Sequence, residues 1–300
     1  MANEDVAPAE IEGAGDAGPG SEAGMYGPES EAWRLNREAF LLLGAGPRAL
    51  LLQLAHPLVA EGVDQHSDFR GDPWGRLRGT LRSYLRIVYG DLGAARDEVR
   101  RLNRLHDAVA GRVADPEARH RTAAQAYRAR DPELSLWVHA TLVESTITAF
   151  DAWFEPLPRD RRARFYDETL PVGRAFGIPP RMLPGNLDAF EAYWASMLGP
   201  DGPVHPTPTA RSLAATVLHP PVGPLPPSLY DWLMWPSLAI LPPAVRAEYG
   251  IPWTPLRAGV AGWLTAGMAM WAHRLPAAWR SMPQARAADR RIRSASIGSP

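Results

Sequence analysis

The sequence predicts an all-α protein, on three observations. Apolar residues recur at helical spacing through most of residues 29–285, period-two alternation bounded by turn residues is hard to find, and Asp-Pro pairs punctuate helix starts. The expectation is one multi-helix domain over 29–285, flanked by an acidic tail at 1–28 and an Arg/Ser-rich tail at 286–300.

Taken in order, residues 33–43 read as a helix ended near Gly44, and 47–63 as a second helix that Pro57 interrupts. A kink there re-aims His56. Asp72-Pro73 and Asp131-Pro132 each place a capping carboxylate before a proline in the first helical position. They predict helices over 73–89 and 132–154. Between them a helix is expected over 91–113, and after them helices over 159–176, 186–198, 209–218, 229–239 and 254–271, then a short C-terminal helix. Proline-rich stretches at 203–208 and 220–227 separate the later helices, and no internal repeat is visible.

Composition narrows the function. The chain has 300 residues, 46% hydrophobic and 22% charged, with net charge −1, which leaves ample material for a core and no basic face for nucleic acid. Cysteine is absent, excluding thiolate metal sites and cysteine nucleophiles. Lysine is absent too, so all 32 basic residues are arginine and Schiff-base chemistry or a phosphate-binding lysine is excluded. The acidic N-terminus lacks the basic start and apolar stretch of a secretory signal, which predicts a cytoplasmic protein. The longest apolar runs, 232–245 and 258–272, are shorter than the roughly 20 residues of a spanning helix. They read as buried helices, with peripheral membrane contact as the alternative that eleven tryptophans allow.

Several polar residues fall on apolar helix faces. Arg76 and Thr80 lie one turn apart on the flank of an apolar face that includes Leu77, Leu81, Tyr84, Ile87 and Val88. The arginine either snorkels over the core, with Thr80 bonding back to a helix carbonyl, or awaits an anionic ligand. His106 sits in a stripe of Leu92, Ala95, Val99, Leu102, Val109 and Val113, either as a satisfied core histidine or as a metal or haem ligand. His139 and Glu144 occupy a helix apolar on most sides, where each needs a partner; an arginine of a neighbouring helix would serve Glu144. Residues 56–67 concentrate His56, Glu61, Asp64 and His66 around the kinked helix and read as the irregular wall of a pocket. Zincin, nucleophile-elbow and glycine-rich phosphate motifs are missing, and the lone Glu117-x-x-His120 falls in a polar connection.

Four segments in this order, GPRALLLQLAHPLVAEGVDQHSDF (46–69), DPWGRLRGT (72–80), RLNRLHDAVAG (101–111) and YRARDPELSLWVHATLVES (127–145), carry a family likeness. The chain resembles the catalytic domain shared by the latex clearing protein, a rubber oxygenase, and the fungal oxygenase of the mycophenolic acid pathway. The likeness runs over about 33–198, with family-like helices to about 279. It implies a globin-reminiscent, all-helical haem b protein whose iron is held by an axial histidine. The family's Arg-x-x-x-Thr pair matches Arg76 and Thr80, and its axial histidine best matches His106. His139 is the competing ligand, but lies 59 residues beyond Thr80, outside the family spacing. Where the rubber enzyme carries a lysine before its threonine, this chain has Gly79, so a lysine-gated distal face is not implied.

The resulting expectation is a haem-dependent oxygenase or peroxygenase. His106 ligates iron, Arg76 pairs with a haem propionate or polarises oxygen with Thr80 in support, and Glu61 or His66 handles protons. A hydrophobic small molecule, dioxygen or peroxide and an electron donor are the expected partners. A haem-binding sensor or carrier without turnover is the alternative, and a cofactor-free structural or membrane-peripheral helical protein a third reading.

Overall fold

A computed structural model describes residues 21–68, 71–219, 227–272 and 274–297. The architecture is all-α, with one two-stranded exception. Helix α1 (Glu31–Asn36) leads into α2 (Ala39–Ala55), which turns at His56 into α3 (Pro57–His66). The α2–α3 bend is 102°, and His56 is at once the last cap of α2 and the first of α3. The expected kink at Pro57 is therefore a full corner.

Gly44 and Pro47, read from sequence as a helix end and the next helix start, both lie inside α2. Burial overrides their propensities. A side chain at Gly44 would occupy the position of the Trp153 indole, so the glycine is a contact surface and not a terminator.

Helices α4 (Pro73–Tyr89) and α5 (Leu92–Asp107) form a tight hairpin through Gly90 and Asp91. Asp72 and Asp91 cap them by accepting from the Gly75 and Ala94 amides. The helix expected over 91–113 stops at Asp107. Beyond it the burial pattern alternates, and Ala110–Arg112 (β1) pairs antiparallel with Ala126–Arg128 (β2) around α6 (Pro116–Thr122). Val109 and Val113 thus belong to a small satellite core with Ala118 and Tyr127, and not to the stripe of His106.

The central helix is α7 (Pro132–Trp153), buried along nearly its whole length and packed on α2. Helices α8 (Arg159–Ala175) and α9 (Leu187–Met197) cover one side. Helices α10 (Pro208–Leu218), α11 (Pro227–Ala239) and α12 (Pro243–Glu248) build a second apolar cluster around Leu51, Leu54, Trp137 and Leu241. Helix α13 (Pro255–Ala272) lies on α11 and α7, and α14 (Ala277–Arg280) leads into α15 (Pro283–Ile297).

The end of the chain corrects the expectation of a tail from 286. Helix α15 extends to Ile297, burying Ala285 and Ala288 and pairing Asp289 with Arg37 at 3.0 Å. At the other end, Tyr26 is buried within the span expected as an acidic tail; residues 1–20 lie outside the described residues. Arg291 ties both ends to the core, donating to the carbonyl oxygens of Glu22 and Tyr89.

Buried polarity is resolved locally. Arg48 of α2, fully buried, donates to Glu144, to Ser145 Oγ at 2.7 Å and to the Ile240 carbonyl at 2.7 Å. This supplies the arginine that Glu144 required. No single helix among the described residues is long and apolar enough to cross a membrane.

Candidate functional site at the open end of the α4–α5 hairpin

The hairpin is buried at one end only. Leu85, Ile87, Val88 and Tyr89 of α4 and Ala95 and Val99 of α5 are buried near the turn, where the Tyr89 hydroxyl donates to the Trp33 carbonyl. The opposite end projects from the core. Leu77 there is 46% exposed and Leu105 52%. An apolar helix face that loses its cover partway along is unusual, because each exposed leucine forgoes on the order of 2 kcal/mol of burial.

The antiparallel register sets which side chains meet. Near the turn Arg86 donates to the Ala94 carbonyl, and one rung out Arg101 donates to Ser83 Oγ at 2.9 Å. Further out stand Arg76 and His106, close enough that the guanidinium charge helps lower the imidazole pKa. Sequence spacing placed these two on separate helices; the hairpin brings them together.

Arg76 is accessible to water, yet surrounding protein desolvates it enough to lower its pKa. Its guanidinium makes no hydrogen bond or ion pair among the described residues, and neither does the Thr80 hydroxyl one turn later. The snorkelling reading, with Thr80 bonded back to its helix, is thus not what the structure shows. Ser83 makes that bond instead, donating to the Gly79 carbonyl at 3.0 Å. A side chain at Gly79 would meet nothing within 4 Å, so the surface between Arg76 and Thr80 opens onto free space.

His106 is half-buried. Its pKa is lowered by desolvation first, then by Arg76 and Arg130, with Asp107 opposing. The imidazole is therefore neutral at neutral pH and keeps a nitrogen lone pair available. Its helix is moored on two sides. Asn103 donates to the Ala175 carbonyl at the end of α8 at 2.9 Å, and Asp107 pairs with Arg130 Nε at 3.2 Å. Arg130 in turn rests against Gly177, whose φ of 85° lets the chain turn beneath the guanidinium. Neither Arg130 nor Asn103 was singled out from sequence. Arg130 lies in a polar connection without periodicity, and only the folded chain brings it to His106.

The remaining candidates are placed elsewhere. His139 of α7 is enclosed between helices, its Nε2 unpartnered and so close to Gly173 that a Cβ there would lie 3.4 Å away. Burial lowers its pKa to about 4, so it is a neutral core histidine. Glu61 is employed structurally. It is buried, accepts from the Ala114 and Asp115 amides at 2.8 and 3.0 Å and from Gln65 at 2.7 Å, and so caps the approach to α6. His66 is exposed and its Nε2–H donates to the Ala110 carbonyl at 3.1 Å. His56 is buried at the corner with Nδ1 unpartnered. Residues 56–67 thus brace the β-hairpin and the α6 connection, and stand apart from the Arg76–His106 pair.

Among the described residues no group of three or more His, Asp or Glu side chains is arranged to hold a metal ion by itself. One histidine beside an unpaired arginine, with exposed leucines around them, is the arrangement on offer. It suits a ligand that is flat, largely apolar and anionic at its edge.

Comparison with known proteins defines the class. The family model described as the catalytic domain of ER-bound oxygenase mpaB/B' and rubber oxygenase matches residues 33–275. The chain belongs to this oxygenase family, and is an oxygenase-type oxidoreductase. Uncharacterized proteins of Mycobacterium bovis and Mycobacterium tuberculosis are each 27% identical over 223 residues, covering 72% of this chain and 82% of theirs. No solved structure matches it significantly.

Proposed function

We propose that the chain is a haem b-dependent oxygenase acting on a hydrophobic small molecule, with His106 as the protein ligand to iron. The observation that carries this reading is the pairing, at the open hairpin end, of a neutral imidazole with an arginine that has no partner among the described residues. The fit of the residues to haem b follows from their chemistry. A porphyrin needs one protein ligand for its iron, apolar contact for its faces and cations for its propionates. His106 supplies the first, Leu77 and Leu105 the second, and Arg76 the third.

Bound haem b supplies the activation of dioxygen or peroxide needed for oxygenation. The chain's own residues do the rest. His106 stays deprotonated because desolvation and, after it, the Arg76 and Arg130 guanidinium groups disfavour its cation. The Asn103 and Arg130 contacts hold the end of α5 so that the ring keeps one orientation. Thr80, exposed one turn from Arg76, offers a hydroxyl donor on the same side. Gly79 places no side chain on that exposed face.

A haem-binding sensor or carrier shares every one of these features except turnover. Product formation separates the two. Purified protein should show a Soret band and consume dioxygen or peroxide with an apolar substrate. Stable haem binding with no product across a broad panel of apolar substrates would favour the carrier, and colourless protein after haem-supplemented expression would refute both.

A further inference from the structure

The sequence led us to expect α13 as a buried helix, yet only one side of it is covered. It is apolar nearly all round, and packs on α11 and α7. Its outer side carries Leu256, Gly259, Trp263, Ala266 and Met270, spaced alternately three and four residues apart, and all five are exposed. Leu256 is 75% exposed and Trp263 73%, and at the far end Trp271 and Trp279 stand out as well. Trp232 of α11 joins the patch, forming a shallow apolar groove with Leu256, Val260 and Trp263. The stripe runs for about 21 Å along an 18-residue helix.

Charge identifies the occupant. No acidic residue occurs between Ile251 and Ala288, whereas arginines stand at 257, 274, 280 and 286. Arg257 and Arg274 bracket the stripe at its two ends, one over the Trp235 ring and the other over Trp271. A second copy of this face would meet its own charges. Antiparallel pairing of two α13 helices would set Arg257 against the other copy's Arg274, parallel pairing would set each against itself, and no carboxylate in the segment would offset either. An apolar stripe with tryptophans on it and cations at both ends matches instead the acyl boundary and anionic headgroups of a bilayer surface.

We propose that α13 and the adjoining Trp232 form a peripheral docking face for an anionic lipid bilayer, with α13 lying in the plane of the interface. The inference rests on surface chemistry alone and is independent of the haem assignment. Flotation of the full chain with phosphatidylcholine vesicles, with and without phosphatidylglycerol, tests it. The protein should float with the anionic vesicles, more weakly with neutral ones, and its tryptophan emission should shift to the blue on binding. Leu256→Gln with Trp263→Gln should weaken partition about tenfold or more. Gly259→Glu, placed where a side chain meets nothing within 4 Å, should weaken binding to anionic vesicles while leaving circular dichroism unchanged. Protein that stays unbound with both vesicle types overturns the proposal. So does a dimer in light scattering that these substitutions dissociate, which would assign the face to a second copy.

Discussion

At the scale of single residues, two buried histidines make stability depend on pH. Burial lowers the pKa of both His56 and His139 to about 4, against about 6.5 in an unfolded chain. Between those values the unfolded state binds more protons than the folded one, so stability is complete above pH 6.5 and falls as pH drops toward 4. Each contributes on the order of 3 kcal/mol to that loss. Urea unfolding from pH 7.5 to 4.5 should show it, and His139→Leu should flatten the profile; an unaltered slope would contradict the assignment. A second residue-scale prediction concerns Arg48. Arg48→Ala strands Glu144 beside the core and should cost about 3–5 kcal/mol, whereas replacing both by apolar residues should cost much less. Chemical denaturation of the single and double variants measures the difference.

At the scale of elements, two glycines in α-helices behave oppositely. Gly44→Ala drives a methyl into Trp153 and should destabilise by about 2–3 kcal/mol. Gly79→Ala enters open space on an exposed helix face and should stabilise by about 0.8–1 kcal/mol, read as a raised melting temperature. The sequence alone cannot separate them, since both are glycines within apolar periodicity and their difference lies in what packs across from them. Where a helix start carries its own chemistry, sequence was sufficient. Asp72-Pro73 and Asp131-Pro132 open α4 and α7 at the expected residues. Where tertiary burial decides, it was not. The α2 helix runs through Gly44 and Pro47, α5 yields to a short hairpin at Ala110, and α15 is held by Ala285, Ala288 and Arg291 although its sequence reads as a tail.

For the whole molecule, the core and the candidate site divide one hairpin between them. Packing on α1 and α15 fixes the closed end of α4–α5, and the open end carries Arg76, Thr80 and His106. Helical spacing found those three as separate inward or flanking residues, and the family likeness suggested a common purpose. What sequence could not show was that Asn103 and Arg130 moor the histidine from α8 and the loop before α7, because such contacts join positions far apart in the chain. Nor could it show that Glu61 is consumed by two backbone amides. The central claim is that His106 holds the iron of a bound haem, and a cavity-rescue spectrum tests it most directly. In His106→Gly expressed with supplied haem the Soret band should be lost or strongly shifted, and free imidazole should restore the parent spectrum, while His139→Gly keeps it. A His106→Gly protein with an unchanged Soret band, or one whose spectrum imidazole leaves unaltered, would contradict the account.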